Sequence, residues 1–318
     1  QTKSNANALF LVEEGRYGDL KTSLGARYGY VAQNPNSATQ FPDPSSQGIP
    51  NTYGPPSIQN RQFNLFSYSA GGIYDLAKGY GLGLAYTVSQ RAPTPQELYS
   101  YGPHDSTATF DIGNSNLGTE TSHNIELSFQ KTLGDIRSKV SLYRNQFSNY
   151  IYGFYTGSYS SVYENFSVVQ ASQANANIRG AEGELSYNWN QTGIGSRIFG
   201  DVSQGSFNAG GNLPLQPAPR LGAEMAYQRN GWLSGATYIY SYQQNRLANW
   251  EIGPTPSYNL VNANLSYTER IGKINWTGYL ALKNLLNQDI RYATSPMAVR
   301  LYAPQPGRSL MVGVRAAF

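Results

Sequence analysis

The chain has 318 residues, 33 Gly, 26 Tyr and no Cys, with 13% charged residues and a formal net charge of +4. Without Cys there is no disulfide and no thiolate chemistry, and the zero count is compatible with an oxidising periplasm. The small net charge gives little footing for nucleic acid, and no apolar run approaches the ~18 residues that a membrane helix requires.

Charge this sparse, joined to abundant Tyr, Gly and Asn and a mean hydropathy of −0.46, suits β-structure with one apolar and one polar face. A transmembrane barrel has that signature. The opening QTKSNANAL has no apolar core behind a charged start, so no secretory leader is read there. The expectation is a mature chain, or one cut from something longer.

From the first residues onward the dominant period is two, the mark of strands. Leu20, Thr22, Leu24, Ala26, Tyr28 and Tyr30 share a face. Tyr80, Leu82, Leu84, Tyr86 and Val88 oppose Gly81, Gly83, Ala85, Thr87 and Ser89. Further on, Ile125, Leu127 and Phe129 oppose Asn124, Glu126, Ser128 and Gln130, and Ala181, Gly183, Leu185, Tyr187 and Trp189 oppose Glu182, Glu184, Ser186 and Asn188. Leu221, Ala223, Met225 and Tyr227 continue the pattern, as do Val261, Ala263, Leu265 and Tyr267. The chain closes on Leu310, Val312, Val314, Ala316 and Phe318.

Connections alternate between short and long. Short turns fall at 14–18, 76–79, 133–135, 191–195, 229–231 and 269–273. Long loops fall near 33–60, 91–121, 154–174, 206–218, 245–257 and 284–307. That rhythm predicts an all-β, antiparallel, up-and-down transmembrane barrel with tight periplasmic turns and long outer loops. Tyr28, Tyr30, Tyr150, Tyr152, Tyr187, Trp189, Tyr238, Tyr240, Tyr242, Tyr267 and Trp276 gather at strand ends, where an aromatic girdle sits. The count is about thirteen strands, each near the ~10 residues a tilted membrane strand needs. Single-chain bacterial barrels have even numbers, so the expectation is the C-terminal part of a larger barrel. If Phe318 ends the last strand on the periplasmic side, the long loops lie outside the cell.

Arg91-Ala92-Pro93 followed by Glu97-Leu98-Tyr99 is similar to the RAP…EL box of the TonB-dependent outer-membrane receptors, and further motifs follow in that family's order. Gly113-Asn114-Ser115-Asn116-Leu117 is similar to its GNPNL box, with Glu120, Ser122, Asn124 and Glu126 after it. Asn177-Ile178-Arg179-Gly180-Ala181-Glu182 resembles a later strand start, Asn284-Leu285-Leu286-Asn287 the element before the last loop, and Gly307-Arg308 with Phe318 the closing strand. The run from Tyr101 to Thr107 most resembles the zinc-uptake receptors of the ZnuD type. The sequence departs from the haem-receptor subgroup at Gln90 and Ser115.

The resemblance implies a 22-stranded barrel, of which 1–318 would be one partial barrel domain holding the last thirteen strands. An N-terminal plug would be absent from the chain. It implies no intrinsic cofactor, and a transported cargo of zinc, siderophore-bound iron or haem. The implied partners are outer-membrane lipid, the metal or small-molecule ligand, and the TonB-ExbB-ExbD complex acting through the plug. No nucleic acid is implied.

His104 and His123 are the only histidines. Imidazole ligates zinc and haem iron, so His104 is a candidate metal ligand, with Asp105 and Asp111 as oxygen donors. The alternative is a loop histidine that shapes the Gly-Pro turn. His123, by alternation, is a girdle residue. Arg91, Glu97 and Glu120 can form a salt-bridged frame for the long loop or contact ligand. Tyr99 and Tyr101, with Tyr152, Tyr155, Tyr159, Tyr163 and Trp250, can stack on a chelate or pack the loops. Glu182, Glu184 and Glu224 face the lumen and are expected to pair with Arg27, Arg197 and Arg315, or to meet the plug. No paired carboxylates, Ser-His-Asp arrangement or phosphate-binding loop argue for an enzyme. The function expected is binding of a scarce metal ion or chelate for energised import. The alternative is a passive porin, or a docking barrel for phage and colicin.

Overall fold

The period-two alternation becomes one large sheet. The computed structural model describes residues 2–36 and 40–318. Residues 37–39, within the first expected long loop, lie outside the described residues. The wall runs β1 (Thr2–Tyr17), β2 (Leu20–Pro35), β3 (Arg61–Ala77), β4 (Tyr80–Arg91), β7 (Glu120–Lys131), β8 (Ile136–Tyr159), β9 (Ser167–Trp189), β10 (Ile194–Phe207), β11 (Arg220–Arg229), β12 (Trp232–Ser241), β13 (Tyr258–Ile271), β14 (Ile274–Lys283) and β15 (Ser309–Ala317). Each strand pairs antiparallel with the next along this path, and β1 and β15 stand at its two ends. Among the described residues that path holds thirteen strands, as the sequence rhythm predicts. No described helix is long and apolar enough to cross a membrane.

Off the path lie a short hairpin, β5 (Tyr101–His104) with β6 (Thr109–Ile112), and two short helices, α1 (Pro95–Tyr99) and α2 (Met297–Tyr302). β6 adds to the outer part of β9 in parallel, Thr109 opposite Ser167.

Three expected loops carry more structure than the sequence reading assigned. The span 91–121 holds α1 and the β5–β6 hairpin. The span 154–174 is mostly strand, because β8 and β9 run 24 and 23 residues and pair far beyond the ~10 that cross a bilayer. The span 284–307 holds α2.

Register sorts the two faces. Leu84, Leu127, Leu142, Leu185, Ile198, Leu221, Leu265 and Val312 remain open to the surroundings. An apolar face this continuous belongs against lipid. The other face carries the polar set. Arg197 donates to Glu184 at 3.1 Å and to Glu224 at 2.8 Å, and Arg220 pairs with Asp201 at 2.8 Å. The expected pairs of Arg27 and Arg315 do not form among the described residues: these arginines stand on β2 and β15, several strands along the wall from β9 and β11, which carry Glu182, Glu184 and Glu224. Gly180 serves this inner face, since a Cβ there would collide with the Tyr143 ring and hydroxyl. Glycine lets the Tyr143 ring lie flat on the wall.

Candidate functional site

The loop between β4 and β7 folds back over the inner face at the long-loop end. Thr94 caps α1: its hydroxyl accepts from the Glu97 N–H at 3.2 Å, and the Glu97 carboxylate accepts from the Thr94 N–H at 2.7 Å. With Pro95 at the first helical turn, this capping box fixes where the helix starts. Leu98 and Tyr99 then drop into an apolar cluster with Phe63, Leu65, Leu117 and Ile151.

Arg91, at the outer end of β4, sits between two carboxylates. It donates to Glu97 at 2.9 and 3.1 Å and to Glu120 at 2.9 and 3.2 Å. Glu120 also accepts from the Ile151 N–H at 2.7 Å. Burial opposes the charge of Arg91, but the hydrogen bonds to Glu97 and Glu120 outweigh it and hold the guanidinium above its ordinary value. One side chain thus ties the end of β4, α1, the start of β7 and β8 together.

The Gly113–Leu117 segment closes the loop. Gly113 N–H donates to the Ser100 carbonyl at 2.7 Å and Asn114 N–H to the Glu97 carbonyl at 2.8 Å. A Cβ on Gly113 would lie 2.5 Å from the Tyr99 nitrogen, so only glycine permits this approach of two backbones. Gln173 on β9 accepts from Gly118 N–H and donates to its carbonyl, both at 2.8 Å.

The candidate ligand residues separate on this frame. Tyr99 is buried and its hydroxyl donates to the Gln59 carbonyl at 2.7 Å. It packs the loop and presents no face to a ligand. Tyr101 is half-buried against Phe41 and Phe110. Burial pushes both hydroxyls above the ordinary tyrosine value, with Arg61 opposing at Tyr99 and Asp43 adding at Tyr101.

His104 and Asp111 meet across the β5–β6 hairpin, Nδ1 to Oδ2 at 3.2 Å, and both remain accessible. His104 Nε2 lies 3.2 Å from the Ser106 hydroxyl. Asp105, next in the chain, starts a 3₁₀ turn. Among the described residues no group of three or more His, Cys, Asp or Glu side chains converges on a metal-sized site. His123 lies on the lipid face of β7, where its Nδ1 is 2.8 Å from the Tyr86 hydroxyl.

A second cluster anchors the hairpin. Ile49, Phe110, Ile112 and Val168 pack with Tyr53, Tyr101 and Tyr163. Ser160 donates to the Gln47 carbonyl at 2.6 Å, tying the first outer loop to the β8–β9 loop.

The last two outer loops are joined by a pair that sequence reading missed. Arg300 on α2 donates to Glu251 at 3.2 Å, with side chains only 5% and 2% exposed. Glu251 also accepts from the Ala248 N–H at 2.8 Å. At the base of the last loop, buried Asn284 donates to the Gln288 and Pro306 carbonyls. Asn284 and Asn287 adopt left-handed backbone, φ 48° and 50°, which asparagine tolerates better than most residues. Next to Glu251 in the chain, Trp250 lies 6.0 Å from Tyr152 of β8 and nearly parallel to it.

Fold and site together define a class: a wall of antiparallel strands with an apolar outer face, a polar inner face and interlocked loops at one end. The family model "TonB dependent receptor-like, beta-barrel" matches residues 1–285, and the chain belongs to that family. Receptor barrels of this family are outer-membrane proteins. Among solved structures, the chain is similar to the copper transporter OprC, with a TM-score of 0.79 and 16% identity over 98% of this chain and 49% of that one. The FrpB iron transporter from Neisseria meningitidis (F3-3 variant) matches with a TM-score of 0.68 and 14% identity over 98% and 45%. The ferric-catecholate import receptor Fiu from K12 E. coli, in its closed form, matches at 0.68 and 18% over 99% and 45%. At these identities the likeness is one of fold. The chain spans about half the length of these structures.

Proposed function

We propose that the chain is the C-terminal part of the barrel wall of an outer-membrane uptake receptor. In this reading residues 1–318 contribute thirteen strands of a 22-stranded barrel. The receptor captures a scarce metal ion or chelate at its outer mouth, and TonB-ExbB-ExbD drives import through a plug. The observation that carries the reading is the 91–121 loop. It folds onto the inner face, and Arg91 holds it between Glu97 and Glu120, while His104 and Asp111 stay accessible on the hairpin that it supports. A loop anchored this firmly is a platform for recognition.

One imidazole nitrogen and one carboxylate oxygen make a donor set suited to zinc, the cargo class of the ZnuD-type receptors; siderophore-bound iron and haem are the other two cargo classes. Zinc would need further donors from water or from other parts of the receptor. Asp105 and Tyr101 flank the pair. Supporting the metal class, the three matched structures bear the names of a copper transporter, an iron transporter and a ferric-catecholate import receptor.

The test is calorimetric titration of the intact receptor in detergent with zinc, a ferric catecholate and hemin. One of the three is expected to bind. If it is zinc, His104→Ala should weaken it at least tenfold, about 1.4 kcal/mol. Zinc binding that survives the substitution would remove His104 from the site, and an intact receptor that binds none of the three would sink the proposal.

A further inference from the structure

The lipid-facing side of the wall carries a basic groove at the long-loop end. Register places its residues. Tyr86 on β4 pairs with Ile125 on β7, Ile125 with Arg144 on β8, Arg144 with Arg179 on β9, and Arg179 with Gln204 on β10. These five side chains form one row across the outer face. The row toward the short-turn end is Leu127, Leu142, Ala181 and Val202, which belongs to the apolar band. The row toward the long loops is His123, Gln146, Asn177 and Ser206. The arginines therefore sit at the border of the apolar band, in the row of Tyr86, whose hydroxyl lies 2.8 Å from His123 Nδ1.

A groove of about 580 Å³ opens there, lined by Arg144, Asn177, Arg179, Gln204, Gly205, Ser206, Asn212 and Arg246. Three arginines meet four neutral hydrogen-bonding side chains, and among the described residues no carboxylate lines the groove. Among the described residues Arg144 and Arg246 have no ion pair, and Arg179 makes only a 3.4 Å contact to Gln204. On the inner face, by contrast, Arg197 and Arg220 are matched by Glu184, Glu224 and Asp201. Arg246 comes from the β12–β13 loop, and Asn212 Nδ2 donates to the adjacent Leu247 carbonyl at 3.1 Å, which holds that loop over the groove.

We infer that this groove binds the phosphorylated headgroup of a lipid in the outer leaflet. The charge is complementary, and guanidinium groups grip phosphate through paired N–H donors. Asn177, Gln204 and Ser206 offer further donors to the remaining oxygens. Position selects a lipid over free phosphate: acyl chains below the headgroup would lie along Leu142, Ala181 and Val202, while the phosphate meets the arginines at the interface. A bound headgroup would also brace the β12–β13 loop through Arg246. The inference rests on the outer-membrane reading and does not depend on which cargo the receptor carries.

The test uses the intact receptor in phosphatidylcholine nanodiscs doped with lipid A, with dephosphorylated lipid A, or with neither. Wild type is compared with Arg144→Ala/Arg179→Ala/Arg246→Ala, with Arg246→Ala alone, and with Arg27→Ala as a control on the inner face. Bound lipid is counted by native mass spectrometry, and inorganic phosphate is offered as competitor. Folding of each variant is checked by heat-dependent gel mobility, so loss of the barrel and loss of the site are distinguished. The expected result is retention of phosphorylated lipid A that falls at least about tenfold in the triple variant. It should fall less in Arg246→Ala and stay unchanged in Arg27→Ala. Equal retention in wild type and a folded triple variant would overturn the inference. So would equal retention of the dephosphorylated lipid, or displacement by inorganic phosphate at matched concentration.

Discussion

Arg300→Ala is expected to release the last outer loop from its neighbour. The Arg300–Glu251 pair is nearly sealed from solvent. Removing the cation leaves Glu251 buried with, among the described residues, only the Ala248 N–H against its charge. Breaking a buried pair from one side costs about 3–5 kcal/mol, chiefly because the remaining ion keeps its desolvation penalty. That cost falls on the loops, since α2 and the 242–257 segment lie outside the wall. Hydrogen exchange should therefore quicken by two to three orders of magnitude at the Arg300 and Ala303 amides, which donate to Pro296 and Val299, and at the Glu251 and Thr255 amides. The wall strands should keep their protection. The double change Arg300→Met with Glu251→Leu removes both charges at similar volume, and should restore most of the loss. Unchanged exchange in Arg300→Ala would show that the pair does not hold the loops.

Arg91→Ala is expected to loosen the loop on which the candidate ligand residues stand. The substitution removes four hydrogen bonds and leaves Glu97 and Glu120 facing each other without a cation. Arg91 is about two-fifths exposed, so water screens part of the loss. After that discount a cost of about 1–3 kcal/mol remains. Arg91→Lys should recover little of it, because a single ammonium cannot reach two carboxylates with paired donors. Limited proteolysis between residues 100 and 117 should separate the variants, with wild type resistant and both substitutions cut. Equal resistance would place the stability of the loop in its apolar cluster alone.

Much of the wall was legible because lipid and lumen impose opposite demands on alternate residues. Leu82 and Leu84 against Gly81 and Gly83 identify β4 and its faces with no further information. The rest of β8 and β9 was not legible. At Phe147 the register shifts to Tyr150, with Asn149 in left-handed backbone, and the alternation loses phase there. Tyr150 to Tyr159 then looks like loop sequence although it pairs with β9. Helix α1 was within reach: Thr94-Pro95-Gln96-Glu97 is a capping box with proline at the start, hidden in a stretch whose Gly, Pro and Ser content suggests loop. Arg91, Glu97 and Glu120 drew notice together because they are the charged residues in and beside two ordered boxes, and the fold pairs them. Arg300 with Glu251, and the groove of Arg144, Arg179 and Arg246, were beyond reach. Both depend on which loops or strands lie side by side, and neither has a local pattern.

The central claim is energised import through a closed receptor. The most direct measurement is uptake of labelled zinc, ferric catecholate or haem by cells that depend on the intact receptor, with and without a protonophore, alongside conductance of the purified receptor in planar bilayers. The account predicts uptake of one cargo that stops when the proton gradient collapses, and no steady conductance. Uptake that persists without the gradient, together with a steadily open channel, would contradict it and make the barrel a passive pore.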